Sequence, residues 1–381
     1  MTASILRSRT VSAQRLPAWT RPSSAQRVPK GSRSRVTADP PRLVPLPREG
    51  LPPWAESLLD QHGFWSGRIW YDTVLAHALP PAAEPLAARC GAAAVPLLGE
   101  GGRLRSLTTP YTQDWRPLAA PGLDAAGWRA AGQGFGALLR RRPPALLEAI
   151  DPAGAWLAPF LAGLRAAGIR ATRFDHTGVW RETLADGQDW EGYLASRPSA
   201  LRHTIARKGR RAERETRFDL IAAPGAALEA GIAAFHAARA GSWKPGEPFP
   251  DFDAALMRAA AAAGALRLGV LTRIADGTPL AAQYWILDQG GTRATVPKLF
   301  HLETERAASP GTVLTAMMLR HLIAEDRVRV IDFGRGDDAY KAHWVSGRVQ
   351  LIGLVLADPR HPAGLAALAR QAAGRLLRRF R

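Results

Sequence analysis

The chain has 381 residues, 46% hydrophobic and 22% charged. That excludes a wholly disordered polymer and leaves room for one or two substantial cores. Its single cysteine, Cys90, excludes an intrachain disulfide framework and a cysteine-clustered metal site, and makes a reducing cytoplasm the expected compartment. The net charge of +18 sits mostly at the ends, because residues 1–42 hold nine Arg/Lys against one Asp and residues 360–381 hold six Arg and no acid. The body between them is nearly balanced, so the charge does not make it a nucleic-acid binder. The basic tails suit weak association with an anionic membrane surface.

In chain order, residues 1–42 are rich in Arg, Ser and Pro and read as a disordered basic tail. Residues 43–187 read as a first α/β unit. A helix is expected over 65–79, and short strands over 93–99, 104–110 and 114–120. A helix at 125–141, a strand at 145–150, a helix at 155–167 and alternating strand character over 168–180 complete it. A second unit spans 188–358. It opens on a helix at 199–215, a strand at 218–223 and Ala-rich helices near 226–240 and 251–264. Strands at 266–274, 279–287 and 292–300 follow, with Asp276-Gly277 and Gly290-Gly291 as turns, so an antiparallel meander is predicted. A helix over 309–326 has Ser309 as N-cap and Pro310 at its first position. A strand at 328–334, a short helix at 337–344 and a strand at 349–357 close the unit. Residues 359–381 read as a basic C-terminal helix. No run of 18 apolar residues occurs, and the nearest, 254–266, is interrupted by Arg258.

The basic residues are 46 Arg and only five Lys, and four of the lysines (Lys208, Lys244, Lys298 and Lys341) fall between 208 and 341. An ammonium is not interchangeable with a guanidinium. Where a composition replaces Lys by Arg so thoroughly, the surviving lysines mark positions to inspect. Ser309-Pro310-Gly311, with Thr312, opens a helix directly after a strand. That start presents unpaired N–H groups and a positive dipole end, suited to a pyrophosphate. DFGRGDDAYKAHW (332–344) sets Asp332, Arg335, Asp337, Asp338, Tyr340, Lys341 and Trp344 at a strand's carboxyl end, where an Asp or Tyr can do acid–base work. Trp243 and Lys244 sit in an irregular loop suited to substrate contact. Lys298 ends a meander strand. Residues 197–217 hold eight Arg/Lys and two Glu, a basic helix able to meet phosphate or RNA. No Walker lysine, G-x-G-x-x-G, G-x-S-x-G or H-E-x-x-H is present, so nucleotide-triphosphate, serine-hydrolase and zinc chemistries are unsupported, and no metal is expected.

In order, YLASRPSALRHTIARKGRRAERE, SWK, LRLGVL, PLAAQYWIL, VPKLF, SPGTVL and DFGRGDDAYKAHW resemble the GNAT-superfamily domain of CelD/BioF-like acetyltransferases, relatives of the FemAB peptidyltransferases. The resemblance covers 190–357 well. Residues 50–185 resemble the degenerate first half of such proteins. It implies an α/β (α+β) chain of two tandem GNAT-like domains, each a mixed, mostly antiparallel twisted sheet flanked by helices. It also implies acetyl-CoA or a longer acyl-CoA as co-substrate, lying between two splayed strands. PLAAQYWIL or TRATVPKLF on one side and VRVIDFG on the other would flank that splay. Ser309, Pro310, Gly311 and Thr312 stand in for the usual Q/R-x-x-G-x-G/A loop at the pyrophosphate. Tyr340 falls at the place of the general acid, and Asp332 or Asp337 would be the base. Lys298, Lys341 and Arg335 would hold phosphate or an anionic acceptor, with Trp243, Lys244 and Trp344 beside the substrate. The acceptor would be a small-molecule or glycan amine, and the family's company with cellulose and exopolysaccharide genes suggests an amino sugar. Three other readings stay open: FemAB-like transfer from aminoacyl-tRNA, a non-catalytic scaffold of a polysaccharide cluster, and a nucleic-acid or membrane-surface binder working through the basic tails.

Overall fold

The computed structural model describes residues 39–60, 63–244 and 246–379. The tail expected over 1–42 lies outside the described residues as far as residue 38, and Arg42 already belongs to a strand.

The first half runs β1 (Arg42–Pro45), α1 (Arg68–His77), β2 (Glu84–Cys90), β3 (Ala93–Glu100), β4 (Arg103–Ser106), the two-residue β5 (Leu118–Ala119), α2 (Ala125–Leu138), β6 (Ala145–Ile150), α3 (Leu157–Ala166) and the long β7 (Arg170–Thr183). The second runs α4 (Trp190–Ala195), α5 (Ser199–Glu215), β8 (Thr216–Ile221), α6 (Ala226–Ala240), α7 (Phe252–Ala262), β9 (Leu266–Arg273), β10 (Pro279–Asp288), β11 (Arg293–His301), α8 (Pro310–Ala324), β12 (Val330–Arg335), the single-turn α9 (Lys341–Trp344), β13 (Gly347–Ala357) and α10 (Pro362–Arg379).

The strands form one mixed sheet in the order β1-β2-β3-β4-β6-β13-β7-β12-β11-β10-β9-β8, with β5 off β3. Every pairing is antiparallel except β4 with β6 and β11 with β12. These two parallel pairs hold matching places in two six-strand sets that mirror each other. The sets have exchanged their last strands. β7, from the first half, pairs with β12, and β13, from the second half, pairs with β6. β7 and β13 run side by side from Gly347/Arg181 to Ala357/Arg170, which stitches the sets together at the centre.

Helices cover both faces. α2 and α3 pack on the first set, where Phe135 and Phe160 are fully buried with Leu147 and Leu354. These helices touch backbone to backbone: a Cβ at Gly132 would overlap the Phe160 carbonyl, and one at Gly163 the Arg129 carbonyl. α4, α5 and α8 bury Trp285, Met318 and Leu319 against the second set. On the opposite face, α1, α6 and α7 share one core across both sets, through Trp70 on Phe252 and Phe235 on Tyr284.

Three sequence expectations differ. β1, β2 and α4 were not anticipated, since β2 is Ala- and Pro-rich with little β-branched content. The strand expected at 114–120 shrinks to Leu118–Ala119, and the one at 104–110 stops at Ser106, because Pro110 and Pro117 lack the N–H a ladder needs. The helix expected at 337–344 is helical only from Lys341, since Gly334 and Gly336 take positive φ (+66° and +107°) and turn the chain. No helix among the described residues is long and apolar enough to cross a membrane.

Candidate active site

β11 and β12 pair only over Arg293/Val330, Ala294/Ile331 and Thr295/Asp332. Beyond Thr295, β11 stays with β10, while β12 keeps to β7 through Arg335/Val179. The cause is local. Pro297 has no N–H to offer β12, and Gly334 has a left-handed backbone that bends β12 away. The gap opens into a cavity of about 300 Å³. Val296, Pro297, Lys298 and Leu299 form one lip, and Phe333, Gly334 and Arg335 the other.

The matching place in the first set is closed. Parallel pairing of β4 with β6 is a single step, Arg105/Leu146, and residues 107–117 turn in beside it. Trp115 N–H bonds Ala149 O (2.7 Å), and its buried indole meets Trp156 edge-on. The same segment then delivers Pro110, Tyr111 and Gln113 to the open cavity of the second set. One half's slot is plugged by the segment that completes the other's.

A charged network lies along the cavity. Lys298 Nζ sits 2.7 Å from both Glu247 Oε2 and Asp253 Oδ2, and 4.2 Å from the centre of the Tyr111 ring. Tyr111 Oη donates to Glu247 (2.9 Å), and Tyr284 Oη donates to Asp253 (2.7 Å). Burial pushes the Glu247 carboxyl upward, but the Lys298 and Tyr111 bonds outweigh it and hold the group below its ordinary value. Burial also raises both tyrosines, which stay protonated donors.

The remaining cations differ from Lys298. Lys341 is 4% exposed, donates to Arg335 O (2.6 Å) and has Asp338 at 3.4 Å. Lys244 Nζ donates to Leu299 O (2.9 Å) and lies over the Phe300 ring. Arg335 Nη1 donates to Thr112 O (2.7 Å). Burial lowers the pKa of all three below the ordinary value. Three of the chain's five lysines (Lys244, Lys298 and Lys341) line this cavity. Lys208 lines a smaller one of about 230 Å³ beside the start of α8, where it donates to Ala307 O.

Of the residues singled out from sequence, Lys244, Lys298, Arg335, Tyr340 and Lys341 line the cavity together. Tyr340 sits at the N-cap of α9 rather than on a helix, with burial raising its phenol pKa. The others lie elsewhere. Asp332 is fully buried. It accepts from Arg181 Nε (2.6 Å), Arg293 Nη2 and Gly334 N–H (2.7 Å), which ties β12 to β7 and β11. Those bonds engage both carboxylate oxygens, so Asp332 is placed as a structural ion and not at the cavity. Asp337 pairs with Arg348 on the surface. Trp344 is buried beneath Phe333, nearly parallel to it. Trp243 is 66% exposed. Ser309 takes a left-handed conformation and makes no side-chain cap. α8 does begin at Pro310. Its first bond is Val313 N–H to Ser309 O, leaving the N–H groups of Gly311 and Thr312 unbonded within the helix. The sequence reading missed Trp65, Tyr111, Gln113 and Glu247, which also line the cavity, as does Asp338, which belongs to the 332–344 set but is not the base chosen from it. The first three come from the other half, and only the tertiary fold brings them in. Among the described residues no group of acidic, His or Cys side chains could hold a metal.

Residues 199–342, which contain both lips of the splay, match the family model of the acetyltransferase (GNAT) domain. The chain carries a GNAT-fold acetyltransferase domain. No curated protein matches it in sequence. Two solved structures share the fold. The crystal structure of FemX is 9% identical, covering 84% of this chain and 98% of that one, with a TM-score of 0.52. The structure of L-PGS from Bacillus licheniformis is 11% identical, covering 81% of this chain and 92% of that one, with a TM-score of 0.51. Both matches extend well beyond the GNAT segment, as does the two-set sheet described above.

Proposed function

We propose that the protein is an acyl-CoA-dependent N-acyltransferase of the CelD/BioF-like kind, transferring an acetyl or longer acyl group to the amine of a small molecule or glycan. The observation that carries this reading is the splay. Within the segment matching a GNAT domain, the only parallel pair of the second set parts after three residue pairs and opens into the cavity. A slot between two strand edges offers unpaired backbone groups to an extended pantetheine arm. The N–H groups opening α8, beside the smaller cavity that Lys208 lines, suit the phosphates, and Lys244 on the main cavity wall adds a cation.

In the reaction the amine nitrogen bonds the acyl carbon as the C–S bond breaks. The nitrogen gives up a proton and the sulfur takes one. Asp338, on the cavity wall beside Lys341, is the carboxylate placed to take the first, directly or through water. Tyr340, whose phenol lines the cavity and is protonated at neutral pH, supplies the second. Holding both substrates in one cavity provides much of the acceleration. This replaces Asp332 and Asp337, whose oxygens are engaged elsewhere, as the base.

Titration calorimetry of the full chain with acetyl-CoA and longer acyl-CoAs tests the reading. Micromolar binding weakened by Lys244→Ala supports it, and folded protein that binds no acyl-CoA overturns it. A second reading, transfer from aminoacyl-tRNA, draws on α5, which exposes Arg202, Arg207, Arg210, Arg211 and Arg214. It predicts tRNA binding that weakens steeply with salt.

A further inference from the structure

Two groups on the cavity wall lack the partner their chemistry calls for. Arg335 is largely buried at the end of β12. Its only hydrogen bonds among the described residues are from Nη1, to Thr112 O at 2.7 Å and Thr109 O at 3.5 Å. No carboxylate of the described residues pairs with it, whereas Lys298 has two and Lys341 has one. Glu148 acts on Arg335 electrostatically without an ion-pair contact, and burial still holds its pKa below the ordinary value, so its desolvation is only partly offset. The second group is Gln113, 7% exposed. Its Nε2 donates to Tyr111 O at 3.1 Å, which fixes the orientation of the amide, and its Oε1 is buried with no partner. That oxygen faces Gly334 on the cavity lip: a Cβ there would stand 2.7 Å from it. A buried amide oxygen left bare calls for a donor, at a smaller cost than a bare cation.

The two anomalies adjoin. Arg335 bonds the carbonyl of Thr112, the residue before Gln113. A cation wanting an anion thus lies beside an acceptor wanting a donor, on the lip of β12 that faces the first half. The start of α8, where acyl-CoA phosphates would lie, follows the opposite strand, β11.

We infer that the acceptor is an amine bearing its own acidic group, a carboxylate or phosphate a few atoms from the nitrogen, with Arg335 binding the acid and Gln113 Oε1 accepting from the amine. The inference rests on the acyl-transfer reading and narrows its substrate class. Neutral amines and unmodified amino sugars leave Arg335 without a contact acid, and the site discriminates against them.

The test uses matched pairs on the full chain: glycine and glycinamide, β-alanine and its amide, O-phosphoethanolamine and ethanolamine, glucosamine 6-phosphate and glucosamine. Binding is followed by thermal shift without acyl-CoA, and turnover by thiol release from acetyl-CoA. The acid-bearing member of at least one pair is expected to bind and to exceed its partner at least tenfold in kcat/KM. Arg335→Gln should raise KM for that amine at least tenfold and leave the acetyl-CoA Kd within twofold. The wild-type pairs need no variant, so a misfolded Arg335→Gln does not stop the test. Absence of acid preference in every pair overturns the inference. So does an Arg335→Gln enzyme that loses acetyl-CoA as strongly as the amine, which would assign the cation to a phosphate of CoA. Acid-bearing amines that bind while acetyl-CoA does not would sustain the inference and sink the acyl-CoA reading instead.

Discussion

Replacing Lys298 by Met keeps most of the side-chain volume and removes the charge. The ammonium lies 2.7 Å from two carboxylates, and the three side chains are 11%, 13% and 2% exposed, so solvent screens the cluster little. Removing one member of a buried ion cluster strands the others and costs about 3–5 kcal/mol. Loss of the contact with the Tyr111 ring adds on the order of 0.5–2 kcal/mol. The pH dependence gives a sharper signature. In the wild-type protein Glu247 titrates below its unfolded value of about 4.3. Its contribution to stability is therefore present above that pH and is lost as pH falls through the folded value. In Lys298→Met, burial acts on Glu247 without its counter-ion and raises it. The folded state then binds a proton the unfolded state has lost, so stability falls as pH rises through the raised value. Urea unfolding between pH 4.5 and 8 should show the variant losing least at the acid end and most near neutrality. A loss below about 1 kcal/mol with an unchanged pH slope would refute the view that Lys298 neutralises this pair.

Tyr340→Phe should lower kcat by about 10²- to 10⁴-fold, the usual range for a general acid, with acyl-CoA affinity unchanged in calorimetry. An unchanged kcat removes the assignment. Asp332→Asn should act on stability instead, costing about 3 kcal/mol or more in denaturant unfolding because Arg181 and Arg293 keep their buried charges. A stable variant that has lost turnover would return Asp332 to the chemistry. Gly334→Ala puts a methyl group against Gln113 Oε1 and a side chain on a left-handed backbone, which costs about 1–2 kcal/mol. It should also raise KM for the amine, and steady-state kinetics showing wild-type KM would mean that the lip does not contact the acceptor. Trp115→Ala should cost about 3–5 kcal/mol as a core truncation, since the indole fills the closed slot of the first set.

Much of the second half is legible in its residues. The meander strands lie within about a residue of their expected places, because Asp-Gly and Gly-Gly turns bracket runs of apolar residues. α8 starts where Pro310 requires. Three of the four lysines that stand out in the arginine-rich composition lie on the cavity wall. The first half is less legible. β1 and β4 are only four residues long, β2 is Ala-containing with no β-branched residue, and the tight packing of α2 on α3 rests on glycines, which carry no hydrophobic signal.

The sequence by itself determined most of the second half's element types, the antiparallel meander with its Asp-Gly and Gly-Gly turns, and the start of α8 at Pro310, since each follows from local backbone chemistry. Only the tertiary structure decided which acids serve the cavity. Asp332 and Asp338 are six residues apart and look alike in sequence, yet one is engaged by two guanidiniums from the neighbouring strands β7 and β11 and the other lines the cavity. It also decided that Tyr111 and Gln113 complete a site more than a hundred residues away. The exchange of β7 and β13 joins the two sets into one sheet, and strand pairing between distant segments leaves no trace in the spacing of residues along the chain.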